Sequence, residues 1–193
     1  MNKLTRADLM SLEQYSTGRT DFRAKIIAHK KIRTVHVGPN ATWCFEDRKL
    51  VQYQVQEMLR VERIFEAAGI EEELEAYNPL IPDGANWKAT LLIEFPDAEL
   101  RRRELAQLKG VEDRCWVQVT GCERVLAIAD EDLDRENDEK TSSVHFLRFE
   151  LDATMVARAQ SGAAIMVGID HPHYNHAQQV VEATRASLAA DLA

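Results

Sequence analysis

Cysteine is scarce. The 193 residues hold three, Cys44, Cys115 and Cys122, and no two of them form a C-x-x-C pair. That pattern excludes a disulfide framework, a Cys₄ zinc finger and an iron–sulfur cluster held by four cysteines of this chain. Glycine and proline are few as well, at eight and five. Neither a G-x-x-x-x-G-K-[ST] loop nor a G-x-G-x-x-G turn occurs, so the common phosphate cradles are absent. There is no H-E-x-x-H and no G-x-S-x-G. No apolar run approaches the ~18 residues of a membrane-spanning helix. The opening residues, Asn2 to Asp8, lack the apolar stretch of a secretion signal, so reduced thiols in a cytoplasm are the expectation. Positive charge is in the minority: 24 Lys and Arg face 32 Asp and Glu, for a net charge of -8. A surface of that sign repels phosphate backbones and anionic lipid, so neither nucleic acid nor membrane is expected as a partner.

What is present suits a packed core. The hydrophobic fraction is 45%, which the chain can bury as one domain. The expected architecture is a single α+β domain over residues 1–193. Residues 1–33 form an N-terminal helical section, and residues 34–193 form a mostly antiparallel sheet packed with helices. In the first section a short helix around Leu9, Met10 and Leu12 ends at Ser16-Thr17-Gly18, and Thr20 opens a second helix to about Lys30. A hairpin follows, Thr34 to Val37 and Thr42 to Phe45 around Gly38-Pro39-Asn40. The strongest helical periodicity runs from Asp47 to Ala68, with Gly69 as its stop, and an acidic helix occupies Glu71 to Tyr77. Period-two patterning then predicts strands at Ala89–Phe95, Cys115–Val119, Arg124–Ala129, Val144–Leu151 and Ala164–Ile169. Helices fall between Asp97 and Leu108, between Asp152 and Ala159, and at the C-terminus. The stretch from Asp170 to His176 is expected to be a loop.

Candidate chemistry begins on the long helix. Its apolar stripe reads Leu50, Val51, Met58, Val61, Ile64, Phe65 and Ala68, and on the helical wheel Glu57 and Gln54 interrupt it. A buried carboxylate costs several kcal/mol unless something neutralises it. Arg60, three residues on, is one neutralising partner, and a ligand or proton in an internal pocket is another. The pocket candidates are therefore Glu57, Gln54 and Arg60, with His36, whose alternation against Val35 and Val37 sets it on the opposite strand face.

The metal candidates are His145, His171, His173 and Asp170. Imidazole is the commonest metal ligand and a carboxylate orients or joins it. The spacing of His171, His173 and His176 around Pro172 matches no standard zinc pattern. His145 shares a strand face with Leu147, Phe149 and Leu151, where a histidine is ordinarily a hydrogen-bonded core residue. Were Glu57, His145 and His171 to converge, they would make a carboxylate-plus-two-histidine site suited to iron or another transition metal. The basic groups Arg48, Lys49, Arg60 and Arg63, and the run Arg101 to Arg103, sit beside acidic residues and read as a solvated, ion-paired surface.

Several segments together resemble one bacterial family, the domain of unknown function 3501. They are His29-Lys30-Lys31, Val35-His36-Val37-Gly38-Pro39, Phe45-Glu46-Asp47-Arg48, Gln54 through Ile64, Tyr77 through Gly84, Ala89 through Phe95, Ala127-Ile128-Ala129-Asp130 and Asp170-His171-Pro172. The resemblance spans nearly the whole chain and carries no assigned activity. It implies association with iron or peroxide chemistry, because genes of the family tend to lie near those for rubrerythrin and an iron–sulfur flavoprotein-like oxidoreductase. The expected function is thus an accessory or binding protein beside such a redox partner. The alternative is a metal-dependent enzyme or sensor with a Glu/His site in an internal pocket.

Overall fold

The computed structural model describes residues 2–133, 135, 137 and 139–193. Its N-terminal part is built from caps. Thr5 and Asp8 close a single 3₁₀ turn, Arg6–Asp8, in place of the short helix expected around Leu9. Ser11 then caps α1 (Leu12–Lys31), with the Ser11 hydroxyl accepting from the Gln14 amide and the Gln14 side chain accepting from that of Ser11. The helix passes through Ser16-Thr17-Gly18 without a break. Tyr15 and Ile26 are buried on one face, and that anchorage outweighs the ~1 kcal/mol that a mid-helix glycine costs. Asp47 caps α2 (Arg48–Glu62), accepting from the Leu50 amide at 2.8 Å.

The long helix predicted to Ala68 ends early. Arg63 takes a left-handed conformation (φ 56°), and α3 (Ala67–Tyr77) starts anew. Gly69 therefore lies inside α3 rather than at a stop. A Cβ there would come within 2.8 Å of Ile64 Cγ2, so glycine permits the close approach of the connecting segment. Val51, Val55, Leu59, Leu74, Leu4 and Ile81 form a small core of their own. Val61 and Phe65, read from the sequence as part of the buried stripe, are 62% and 68% exposed: Val61 lies on the outer side of the last turn of α2, and Phe65 lies beyond its end.

Among the described residues nine strands form two antiparallel sheets, so the expected sheet is a pair. The first has the order β1 (Thr34–Val37), β2 (Ala41–Phe45), β3 (Asn86–Ile93), β7 (Val144–Glu150), β6 (Ile128–Ala129). The second has the order β5 (Arg124–Leu126), β4 (Cys115–Val119), β8 (Ile165–His171), β9 (Tyr174–Gln179). The strand expected at Arg124–Ala129 divides at Ala127. Its first half pairs with β4 and its second half crosses to β7. The expected loop at Asp170–His176 is instead a hairpin: β8 runs on to His171 and turns into β9. Edge strand β9 buries only Tyr174, so it carries no alternation to read.

The inward rows of both sheets merge into one apolar core. Trp43, Phe45, Trp87, Leu91, Leu147 and Phe149 meet Cys115, Val117, Val119, Ile165, Val167 and Ile169. Trp43 stacks on Phe149 with ring centroids 5.5 Å apart. Three helices add to it: α4 (Ala98–Gln107), capped by Asp97, through Leu105, α5 (Ala153–Gln160), capped by Asp152, through Met155 and Ala159, and α6 (Glu182–Ala189) through Leu188. A buried charge fastens the C-terminus to the N-terminal part. Arg33, at 1% exposure, donates to Asp191 Oδ2 at 2.6 Å and to the carbonyls of Phe45, Glu46 and Ser187. Burial still pushes the Asp191 carboxyl up to about 6 against that pairing.

Candidate functional site

The outer face of the five-stranded sheet is covered unevenly. Over β2, Cys44 packs against Ile26 of α1 and Leu50 of α2. Over β3, β7 and β6 the sheet is left open beneath α3 and the 3₁₀ turn Asn78–Leu80 that follows it, and a cleft of about 610 Å³ results. Cross-strand register builds its floor. Lys88, Arg148 and Ile128 are neighbours across three strands, and Phe146 stands opposite Thr90. Ala76, Tyr77, Pro79, Leu80 and Glu73 form the overhanging wall, and Glu131 and Asp132 the far rim. The volume falls within the range of small-molecule sites, and the lining combines apolar surface with a few polar groups.

Most charges around the cleft are matched. Arg148 donates to both oxygens of Glu131 at 2.7 Å and also contacts Glu150. Asp132 accepts from two nitrogens of Arg135 at 2.5 and 2.6 Å, and the Arg135 guanidinium lies 4.6 Å from the Phe146 ring centroid. Two groups differ. Among the described residues Lys88 Nζ donates to backbone carbonyls, those of Pro79 and Ile81. Its pKa is lowered, first by burial and then by the nearby Lys3 cation. Glu73 has an oxygen, Oε2, shielded from solvent and without a hydrogen-bond partner. Burial, and then the charges of Glu62 and Glu72, push its carboxyl up.

None of the residues singled out from the sequence lines this cleft; Glu57 meets Arg60, and His171 meets His173. Glu57 is half-buried between α1 and α2 and does not line the cleft. Arg19 grips it with two hydrogen bonds at 2.7 and 2.8 Å, Tyr15 donates to it, and Arg60 adds a bond at 3.3 Å. Chiefly because of Arg19, its pKa is lowered to about 2. Gln54 is exposed, and the buried glutamine is Gln56, whose side chain binds the Met10 backbone. Leu50 and Val51 of the predicted stripe are buried, but the buried row continues through Val55, Gln56 and Leu59 and not through Val61 and Phe65. His36 is exposed and contacts Thr42.

Among the metal candidates, Asp170 points outward and pairs with Arg124 at 2.6 Å. His171 is buried with Nε2 donating to the Lys109 carbonyl at 3.1 Å and Nδ1 accepting from the His173 amide at 3.3 Å. Burial lowers its pKa, and with both ring nitrogens engaged by backbone it has no lone pair to offer a metal. His173 is exposed. His145 is fully buried at the start of β7 and hydrogen-bonded, with Nδ1 donating to Asp130 Oδ2 at 2.6 Å and Nε2 3.1 Å from Thr141 Oγ1. Nε2 also lies 3.1 Å from the Ser142 carbonyl, to which it donates, and 3.8 Å from Glu112 Oε2. Glu112, Asp130 and His145 are the only group among the described residues whose side chains bring three possible ligand atoms within 4.8 Å of one another. Neither Glu57 nor His171 belongs to it.

The family model for a protein of unknown function, DUF3501, matches residues 3–192. The chain belongs to this family. The fold also matches a crystal structure of a protein of unknown function from Burkholderia pseudomallei K96243, at a TM-score of 0.94 and 49% identity over 100% of both chains. No curated protein matches the chain. No helix of this DUF3501 protein is long and apolar enough to cross a membrane among the described residues.

In this DUF3501 chain the cleft residues escaped the sequence reading for a physical reason. Lys88, Phe146 and Arg148 occupy the polar-facing alternate positions of strands, where solvent exposure is the ordinary expectation. Only the β3–β7 register, between segments more than fifty residues apart, sets them side by side under α3.

Proposed function

We propose that this protein is a binding protein whose small-molecule site is the cleft between α3 and the outer face of β3, β7 and β6. One observation carries the reading: a cavity of about 610 Å³ with Phe146 and Ile128 on its floor, Tyr77 and Leu80 on its wall, and charged groups at defined points around them. A reducing, cytoplasmic setting suits it, since Cys44 and Cys115 are buried free thiols, and burial pushes Cys44 up to about 12. The accessory role beside an iron or peroxide system is supported by the family resemblance, through gene neighbourhood. The test is a fragment screen read by protein amide resonances. Hits should shift Tyr77, Phe146 and Arg148 together, and Ala76→Trp, which fills the cleft mouth from an exposed helix position, should abolish the shifts. Hits that move other regions, or that survive Ala76→Trp, overturn the reading.

A second reading is favoured by the cluster of Glu112, Asp130 and His145. Two carboxylates and an imidazole form a donor set for a divalent transition ion, with Thr141 beside the ring. Equilibration with zinc or manganese followed by elemental analysis should then give one ion per chain, lost in His145→Asn. Sub-stoichiometric metal in the folded wild type counts against it.

A further inference from the structure

We propose that the ligand of the cleft is a small zwitterion with an apolar, ring-sized body, its ammonium group held by Glu73 and its carboxylate by Lys88. This deepens, and rests on, the reading of the cleft as a small-molecule site. It follows from an audit of charge. Of the cleft's ionised side chains, Arg148 is saturated by Glu131 and Glu150, and Asp132 by Arg135, so these hold the walls and have little left for a guest. Two ions of opposite sign remain, and no ion pair joins them. Glu73 Oε2 is shielded from water and accepts nothing, while Glu62 and Glu72 add to the negative field around it. A buried carboxylate oxygen without a donor is costly, and an incoming ammonium supplies both the proton donor and the charge. Lys88 has three N–H donors. Two go to the carbonyls of Pro79 and Ile81, which carry no net charge, and Lys3 also donates to Ile81, so two cations share one acceptor. A carboxylate offered to Lys88 takes its third donor and relieves that crowding. The same cleft is lined by Phe146, Tyr77, Leu80 and Ile128, which suit an apolar or aromatic body rather than a sugar or a phosphate.

The experiment compares four probes on the folded wild-type chain by amide-resonance titration. Two are zwitterions, phenylalanine and 4-(aminomethyl)benzoate. Two are half-charged, phenethylamine and 3-phenylpropionate. At least one zwitterion should bind about tenfold more tightly than either half-charged probe, as one charge-assisted hydrogen bond implies. Glu73→Gln should remove that advantage while leaving 3-phenylpropionate unchanged. Lys88→Met should weaken the zwitterion and 3-phenylpropionate and leave phenethylamine unchanged. Should Lys88→Met unfold the chain, Glu73→Gln, which preserves shape, decides alone. Half-charged probes that shift the cleft resonances as strongly as the zwitterions, or a zwitterion indifferent to Glu73→Gln, overturn the zwitterion while leaving the cleft a binding site. Failure of all four to shift those resonances overturns this proposal, and the fragment screen with Ala76→Trp decides the cleft reading separately.

Discussion

One face of the five-stranded sheet carries Trp43, Trp87, Leu91, Leu147 and Phe149, all sealed against the second sheet. The other face, from the same strands one residue out of phase, carries Lys88, Thr90, Phe146 and Arg148. The inner face is closed because two apolar surfaces of similar size meet there and exclude water. The outer face is half closed: α1 and α2 cover its β2 side through Ile26 and Leu50, while α3 overhangs the β7 side and leaves a hollow. Folding has therefore sealed one face and left a hollow on the other, where the proposed site lies. A site needs surface that folding has sheltered but not filled.

That division can be broken at several points. The largest effect is expected from Trp43→Ala, a truncation on the dry face that should cost about 3–5 kcal/mol in denaturant unfolding. A cost below about 1 kcal/mol would show that the inter-sheet core does not dominate. Next is Arg33→Met, which leaves Asp191 buried without its cation. About 3 kcal/mol of destabilisation is expected in the same assay, and a neutral outcome would mean that water replaces the guanidinium. Third comes Glu57→Gln between α1 and α2, where loss of the Arg19 grip should cost about 1–2 kcal/mol at neutral pH. Glu57 is held at about 2 in the folded chain against an ordinary 4.5. Its contribution is therefore fully present above pH 4.5 and lost as pH falls toward 2. The gap between wild type and variant should close over that window, and a constant gap would show that packing rather than charge is responsible. The smallest loss belongs to the open face. Phe146→Ala should cost about 1 kcal/mol or less in stability yet remove fragment binding in the cleft, and a large loss of stability would move Phe146 into the core.

The sequence was read well wherever a cap and a stop act locally. Asp97 and Asp152 cap α4 and α5 at the predicted places, with their carboxylates accepting from Leu100 and Met155. It was misread where a tertiary contact outvoted a local signal. Tyr15 and Ile26 carry α1 through Gly18, and the left-handed turn at Arg63 divides a helix whose apolar residues run on without a gap. The candidate residues show the same split. His145 and Glu57 stand out in the sequence as polar groups on apolar faces, and Arg60 does pair with Glu57 as its spacing implies, but the closer partners, Asp130 and Arg19, come from fifteen and thirty-eight residues away. No pattern along the chain identifies which partner a buried charge will find.

Alternation and capping are properties of neighbouring residues, so the α+β class, the inward rows of the strands and the absence of a membrane-spanning helix were all written in the order of the amino acids. Strand register and helix docking join residues distant in sequence. They alone decided that β5 and β6 part into different sheets, that Lys88 and Arg148 stand side by side, and that α3 stops short of covering them. The cleft exists because α3 packs over the outer face of β3 and β7 without filling it, and that is settled only when the whole chain packs.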